Sequence, residues 1–250
     1  MRHLRRIAFF AICCGLASGA MAQSLHVLAY ETKPFSYREP DGTPAGLEID
    51  ILNYFARGSG RSLEIEWADD WDLLVERMVA GDADIVAGTM TITPEREEVL
   101  DFSASYFPVR VMLVTRKGDA VSSLDELAGS QLATVPGTTY EEILSRVPGA
   151  TFVYGTMEDE LFEAIRSGAA RAAAADSGIA LPLLGQFPEL ELGMALTEEQ
   201  HWGFAMPKGS ALKPELDEAL TKLRGSGIYH RLLNKYLGAA AATLVKSGRQ

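Results

Sequence analysis

Cysteine is nearly absent from this chain of 250 residues. Its two cysteines, Cys13 and Cys14, lie in an apolar run near the N-terminus, and the residues before them do not form a convincing lipoprotein motif. A mature chain that starts after this run has no thiol, which excludes disulfides, a cysteine nucleophile and a cysteine metal site. The histidines lack the spacing of metal ligands, so the sequence indicates neither a metal nor another cofactor; they are His3, His26, His201 and His230.

Long hydrophobic runs are missing as well. After the N-terminal run at residues 7–16, no stretch reaches the roughly 18 uninterrupted apolar residues that a membrane-spanning helix needs. Three arginines precede that run and Ala-Met-Ala at 20–22 follows it, which is the pattern of a secretory signal peptide. We therefore expect a signal peptide at 1–22 and a soluble mature chain in the periplasm. Losing three arginines and no acid would change the formal net charge from -11 to -14.

Basic residues are scarce relative to acids. The chain has 23 lysines and arginines against 34 aspartates and glutamates, and such an acidic chain repels nucleic acid and anionic membrane surfaces. We therefore expect no nucleic-acid partner. A hydrophobic fraction of 47% is ample for one or two compact units, and we expect a monomer.

Strand-like apolar runs alternate with helical patterns, which is typical of an α/β fold with largely parallel strands. Helix starts are predicted at Asp70, Ser123 and Thr139, and the last two are followed by a glutamate at capping-box spacing. The predicted strands are 25–29, 63–67, 85–87, 109–115 and 131–135.

A polar segment follows the predicted strand at 85–87. Thr93 is placed to cap a helix, and Pro94 suits the first helical position, where its missing N–H costs nothing. Backbone N–H groups, hydroxyls and the positive end of the helix converge there, and Arg96 offers a planar fork that can grip a carboxylate. The segment therefore predicts a carboxylate receptor, with a plain helix cap and a surface ion pair as the alternative. Its other polar residues are Gly88, Thr89 and Thr91.

The run from Ala87 to Arg96, followed by Asp101-Phe102-Ser103, resembles the signature of the bacterial extracellular solute-binding proteins of family 3. These proteins serve polar amino acid ABC transporters, and ionotropic glutamate receptor ligand cores are a more distant resemblance. The resemblance extends over roughly residues 25–238 and implies a type II periplasmic-binding-protein-like α/β fold with a hinge between two lobes. It predicts lobe 1 at 25–109 and 203–238, lobe 2 at 110–202, and a loose tail at 239–250.

The same resemblance assigns ligand contacts. In the family, the arginine and the threonine hydroxyls hold the α-carboxylate of a free amino acid, an aromatic residue covers its aliphatic stem, and an aspartate takes its α-ammonium. The matching residues, read as the candidate binding site, are Tyr30, Trp71, Gly88, Thr89, Thr91, Arg96, Thr139 and Asp176. Local alternatives are a core tryptophan for Trp71 and helix caps for Thr139 and Asp176.

The first strand departs from the family pattern. Members that bind basic amino acids often have an aspartate where this chain has Ala29 or Tyr30, depending on the alignment, and Glu31 could substitute only through a register shift. A cationic side chain buried without a carboxylate partner is costly. We therefore expect a preference for an uncharged polar or modestly apolar amino acid over lysine and arginine.

These patterns predict binding without chemistry. The expected protein is a periplasmic receptor, not an enzyme, that closes on an amino acid or a related small zwitterion and delivers it to the permease of an ABC transporter. Two alternatives stay open. One is a periplasmic dehydratase similar to the cyclohexadienyl dehydratases, with Glu31 as its candidate acid, and the other is a soluble sensor partner of a membrane receptor.

Overall fold

Short apolar strands and amphipathic helices alternate through residues 23–238, which are the residues that the computed structural model describes. The predicted signal peptide and the predicted tail lie outside them. No helix within this range is long and apolar enough to cross a membrane. In chain order the elements are β1 (Ser24–Tyr30), β2 (Tyr37–Arg38), β3 (Pro44–Ala45), α1 (Leu47–Gly58), β4 (Ser62–Ala68), α2 (Leu73–Ala80), β5 (Ile85–Ala87), α3 (Pro94–Val99), β6 (Leu100–Phe102), β7 (Phe107–Val109), β8 (Val111–Arg116), β9 (Gln131–Thr134), α4 (Thr139–Leu144), β10 (Thr151–Tyr154), α5 (Glu158–Ser167), β11 (Ala172–Asp176), α6 (Ser177–Leu183), β12 (Leu190–Ala195), β13 (Gln200–Trp202), β14 (Ala205–Pro207), α7 (Leu212–Gly225) and α8 (Ile228–Leu237).

The first sheet has the strand order β4-β1-β5-β14-β6. β1 pairs in parallel with β4 and β5, whereas β14 runs antiparallel to β5 and β6. Side chains of β1 alternate between two apolar cores, as strand geometry requires. Val27 and Ala29 pack with α1, α7 and α8, while Leu28 and Tyr30 face the opposite side with α2. Tyr30 therefore leaves the end of β1 on the side away from α1.

The second sheet has the order β10-β9-β11-β8-β12. β9 pairs in parallel with β10 and β11, and β8 runs antiparallel to β11 and β12. The four alanines of β11 are fully buried and alternate between a core with α4 and a core with α5. Because alanine fills little space, both helices pack close to this strand, which ends at Asp176.

A two-stranded antiparallel ribbon of β7 and β13 lies where the chain leaves one sheet for the other. β7 connects β6 of the first sheet to β8 of the second, and β13 connects β12 back to β14. The ribbon is aromatic, since the ring of Trp202 stacks on Phe107 at 5.5 Å between centroids and meets Phe35 edge-on at 4.8 Å. The lobe boundaries taken from the resemblance stay a prediction.

Some local predictions are wrong. The strand predicted at 109–115 is interrupted at Arg110, because the backbone of Arg110 exchanges hydrogen bonds with Ser177 rather than with a strand. Within the two five-stranded sheets, antiparallel pairs are as numerous as parallel ones, since β8 and β14 run opposite to the other strands of their sheets.

The predicted helix starts differ as well. α2 begins at Leu73 with Asp72 before it, so Asp70 is not its cap, and Ser123 precedes a 3-10 turn without forming a side-chain cap bond. Thr138 occupies the N-cap position of α4 without making a side-chain cap bond, and Thr139 is already helical.

Gly46 lies between β3 and α1 and adopts φ +124, in the region that favours glycine. A Cβ there would lie 2.1 Å from the backbone oxygen of Phe35, which already accepts the Glu48 N–H at 2.8 Å. Gly46→Ala should therefore lower the free energy of unfolding by about 3 kcal/mol or more, since strain and overpacking act together. Gly42→Ala is the matched control, because φ is +86 and nothing lies within 4 Å of its Cβ. Urea denaturation giving equal losses for the two variants would contradict this account.

Candidate functional site

The polar segment after β5 forms the first wall of the candidate site. Thr89 has φ +50, an uncommon conformation for a β-branched residue, and its N–H donates to Glu48 Oε1 at 3.1 Å. The carbonyl of Gly88 accepts the indole N–H of Trp71 at 3.1 Å. Thr91 pairs with Trp202 in an isolated antiparallel bridge. The loop is thus held from α1, from the segment before α2 and from the ribbon.

Glu48 is a fully buried carboxylate on the first turn of α1. Besides the Thr89 N–H, its Oε1 accepts the hydroxyl of Tyr106 at 2.5 Å. Burial raises the pKa of Glu48 to about 7, against the lowering effect of these donors. A buried carboxyl of this kind costs stability when it is ionised. Glu48 lies beneath Thr89 and holds the backbone of the loop through that hydrogen bond.

Arg96 lies on the first turn of the short helix α3, whose predicted cap is confirmed. Thr93 Oγ1 accepts the Arg96 N–H at 3.3 Å, and Pro94 occupies the first helical position. The guanidinium donates to the Thr91 carbonyl at 2.9 Å and lies 4.8 Å from the ring centroid of Trp71. Burial lowers the pKa of Arg96 to about 10, so the side chain stays cationic at neutral pH. A partly desolvated cation with most of its donors free is suited to an anionic partner.

Asp176 ends β11 on the second wall and is 3% exposed. Its Oδ2 accepts the hydroxyl of Tyr140 at 3.1 Å and the indole N–H of Trp202 at 3.2 Å. Its Oδ1 is buried and has no hydrogen-bond partner within the described part of the chain. Burial, opposed by the Tyr140 bond and reinforced by nearby Glu158, raises the pKa of Asp176 to about 7. Asp176 precedes α6 but makes no side-chain cap bond, so the plain-cap alternative does not explain it.

The two walls enclose a cavity between them, and its space is about 370 Å³ when the part open to solvent is included. Seven of the eight predicted site residues line it, and Gly88 lies behind Trp71 and supports that ring. A larger depression of about 1570 Å³ lies on the outer face of α1, α7 and α8, but it is broad and open and collects none of the predicted groups. The residues lining the enclosed cavity are Tyr30, Thr32, Trp71, Thr89, Thr91, Arg96, Val135, Thr138, Thr139, Tyr140, Thr156, Glu158 and Asp176.

Residues 25–239 match the profile of the bacterial extracellular solute-binding proteins, family 3. The chain belongs to this family. The ABC transporter glutamine-binding protein GlnH of Bacillus subtilis is 29% identical over 83% of this chain and 78% of its own length. The membrane-bound lytic murein transglycosylase F of Desulfosudis oleivorans is also 29% identical, over 85% of this chain and 48% of the enzyme, so the chain spans about half of that relative.

Among solved structures, an ancestral arginine-binding protein bound to arginine is similar, with a TM-score of 0.80 and 28% identity over 87% of this chain and all of that one. The predicted fold class, a two-lobed type II periplasmic-binding-protein-like α/β fold, is confirmed. The homologues support a solute-binding role for this member of the family.

Several cavity residues of this solute-binding protein were not predicted from sequence. Tyr140 and Glu158 are the most consequential, because their side chains meet at 3.1 Å beside Asp176. One signal was available for Glu158, since Thr156 to Glu158 follows an apolar stretch that forms β10, and polar groups at the carboxyl ends of strands mark ligand sites in open α/β sheets. Glu31 lies outside this cavity and pairs with Arg38 at 2.9 Å.

The pKa of Glu48 leads to a stability prediction. The folded-state pKa of about 7 exceeds the ordinary value of 4.5. The contribution of Glu48 to the free energy of unfolding is therefore most favourable below about pH 4.5 and is lost as the pH rises through 7. Glu48→Gln keeps an acceptor for Thr89 and Tyr106 but removes this titration. Between pH 5 and pH 8 the variant should therefore gain up to about 3 kcal/mol of unfolding free energy relative to the wild type. Urea midpoints at both pH values measure the difference, and a constant difference would contradict a buried titrating Glu48.

Proposed function

We propose that this protein is a periplasmic receptor that captures a free amino acid by closure of its two lobes and delivers it to the permease of an ABC transporter. One observation carries the proposal. Within the described residues, the half-buried guanidinium of Arg96 and the buried carboxylate of Asp176 each keep hydrogen-bonding capacity and face one cavity from opposite walls. A small zwitterion supplies the complementary charges in one molecule.

The α-carboxylate of the ligand would bind at the first wall. Arg96 offers a charge-assisted fork, and Thr91 and Thr139 line the cavity beside it. Thr139 is at the first position of α4 and is nearly buried, so its hydroxyl and the free N–H groups of that helix end are available to an anion from the second wall. Both walls then contribute to one carboxylate site.

The α-ammonium would bind Asp176. Its Oδ1 is the acceptor without a partner, and an ammonium group donates hydrogen bonds without accepting any. A buried carboxylate is costly unless a cation pairs with it, so the ammonium of a ligand would offset this cost. Trp71, whose indole N–H is fixed by Gly88, and Tyr30 would cover the stem of the side chain.

Closure is supported by contacts between segments that follow strands of different sheets. The hydroxyl of Tyr30, at the end of β1, donates to the carbonyl of Thr156, which follows β10. Gly137, which follows β9, lies directly against Asp72 before α2. If the two lobes meet at the ribbon of β7 and β13, a hinge motion at this ribbon would break both contacts and admit a ligand.

Membership of the family supports export and delivery to a transporter. The predicted signal peptide and the extracellular character of the family support a periplasmic location, and relatives such as the glutamine-binding protein serve ABC transporters. A receptor of this type hands its ligand to the membrane permease by reopening.

One observation favours catalysis as a second function. Burial raises the pKa of Glu158 to about 7, so this cavity carboxyl can hold a proton at neutral pH and could act as a general acid in a dehydratase. Glu158 is therefore the candidate acid in place of Glu31, because Glu31 lies outside the cavity. Proton NMR of bound ligands after prolonged incubation separates the functions, because a receptor returns its ligand unchanged and an enzyme accumulates product beyond one equivalent.

Arg96 gives the first test of binding. Removing one partner of a buried charge pair costs about 2 to 5 kcal/mol, so Arg96→Ala should weaken amino acid binding by roughly 30-fold or more. The ligand is first identified by a thermal-shift screen of the twenty amino acids, and affinities are then measured by calorimetry. Arg146→Ala is the matched control, because Arg146 is exposed and pairs only with Glu142 on the surface.

Ligand analogues complete this test. The decarboxylated amine has no carboxylate for Arg96, so it should bind Arg96→Ala almost as well as it binds the wild type. The matching α-hydroxy acid should bind poorly to the wild type, because it offers no ammonium to Asp176. A folded Arg96→Ala protein with undiminished affinity, or a wild type that binds amino and hydroxy acids equally, would remove the proposed site.

Gly137 gives a test of closure that leaves every ligand contact in place. A Cβ on Gly137 would lie 2.6 Å from the Cβ of Asp72 on the other wall, so Gly137→Ala should hold the cleft partly open. We expect affinity to fall by about tenfold or more, which corresponds to about 1.4 kcal/mol. Gly129→Ala is the control, since φ is +68 at Gly129 against +69 at Gly137 and nothing lies near its Cβ. Equal affinities for the two variants in calorimetry would argue against closure through this contact.

A further inference from the structure

The cavity contains more negative charge than an α-amino acid can neutralise. Arg96 is the only cationic side chain among its lining residues, whereas Asp176 and Glu158 are both carboxylic. In the proposed function, the ligand's carboxylate pairs with Arg96 and its ammonium with Asp176. Glu158 then remains without a cation at the border of this cavity.

The hydroxyl of Tyr140 cannot satisfy both carboxylates. It contacts Glu158 Oε1 and Asp176 Oδ2, each at 3.1 Å, and its oxygen accepts the Asp176 backbone N–H at 3.1 Å. A phenol has a single hydrogen to donate. One of the two carboxylates therefore receives no hydrogen bond from Tyr140, and Asp176 already has the Trp202 indole at 3.2 Å.

Glu158 also occupies the boundary between two spaces. It lines the enclosed cavity and an adjoining depression of about 690 Å³, and Thr32 is the other residue that the two share. Glu158 is only half-buried, because its side chain faces both spaces. A ligand side chain that leaves the Arg96 and Asp176 end can therefore reach Glu158 and still has room beyond it.

The surroundings of this boundary are acidic. The pKa of the Tyr30 hydroxyl is raised, first by burial and then by the charges of Glu158, Asp70, Glu160 and Asp72. These acids come from α5 and from the segment before α2, so they approach Tyr30 from both walls. Asp159 and Glu31 add two more acids around the adjoining depression, where Lys33 is the single cation among the lining residues.

We propose that Glu158 binds a cationic group at the end of the ligand's side chain, so that the preferred ligand is a basic amino acid such as arginine or lysine. This inference rests on the proposed function and names its substrate class. It opposes the expectation drawn from the first strand, which considered Ala29, Tyr30 and Glu31 alone. The missing acid of the first strand is supplied from the opposite wall by α5.

The experiment compares arginine with citrulline, which has nearly the same shape and no side-chain charge. Calorimetry at pH 8 keeps Glu158 ionised. The wild type should bind arginine about 30-fold or more tightly than citrulline, as expected for a buried charge that is paired in one case and not in the other. Glu158→Gln should reduce this ratio to below about 3.

Glu163→Gln is the control. It removes the same charge from the same helix, but Glu163 is exposed and pairs with Arg166 at 2.6 Å, so the ratio should stay at its wild-type value. A purely structural role of Glu158 predicts something else, namely that Glu158→Gln weakens arginine and citrulline equally and leaves the ratio unchanged. That result would overturn the proposal.

Three further outcomes would each contradict a different part of this account. A wild type that binds citrulline or glutamine as tightly as arginine would overturn the assignment of Glu158 while leaving amino acid capture intact. A wild type that binds none of these ligands, nor any other amino acid, would remove the proposed function itself. The Glu158→Gln variant could also bind arginine tightly and keep its preference for arginine over citrulline. The carboxylate that pairs with the ligand's side chain would then lie elsewhere, which contradicts the inference.

Discussion

The buried hydrogen bond from the Thr89 N–H to Glu48 is the interaction on which the first wall of the site depends. Thr89 has a backbone conformation that costs of order 1 to 3 kcal/mol for a non-glycine residue, and such strain persists only where surrounding contacts impose it. Glu48 imposes it from α1, and the hydroxyl of Tyr106 fixes Glu48 in turn. The loop can therefore direct polar groups toward the cavity without relaxing into an ordinary strand end.

Two carboxylates lie close together in the candidate site. Within residues 23–238, Oδ1 of Asp176 is buried and has no hydrogen-bond partner, and Glu158 and Asp176 share one phenolic hydrogen. Unpaired buried charge destabilises the closed arrangement until a complementary ligand arrives. A ligand that binds a closed form better than an open form shifts the population by its differential affinity, so in the proposed function these two carboxylates would make closure depend on the ligand. The same groups that recognise the ligand would thereby couple recognition to motion.

The sequence predicts the local structure around Arg96 correctly, but it misses other helix starts and the long-range contacts of the site. The cap at Thr93, the proline at the next position and the presentation of Arg96 all depend on residues within a few positions, and the structure has them as expected. Glu48 reads as an ordinary helix residue, because its burial depends on Thr89, 41 positions away. Glu158 and Tyr140 meet Asp176 only through the strand order β10-β9-β11, which no spacing in the sequence reveals. Even the local capping box at Thr139 fails, since Glu141 instead accepts the Gly137 N–H at 2.9 Å.

Trp202 contacts both walls of the candidate site. Its backbone bridges to Thr91 in the loop that carries the carboxylate site, while its indole N–H donates to Asp176 on the second wall. The residue is fully buried in the ribbon through which the chain passes between the sheets, packed against Phe35 and Phe107. A rotation at this ribbon would therefore change the position of Asp176 relative to Thr91 and Arg96. Because the one residue Trp202 contacts the segments that carry both charged ends of the candidate site, the proposed hinge motion and the proposed recognition of a zwitterion would depend on the same aromatic packing.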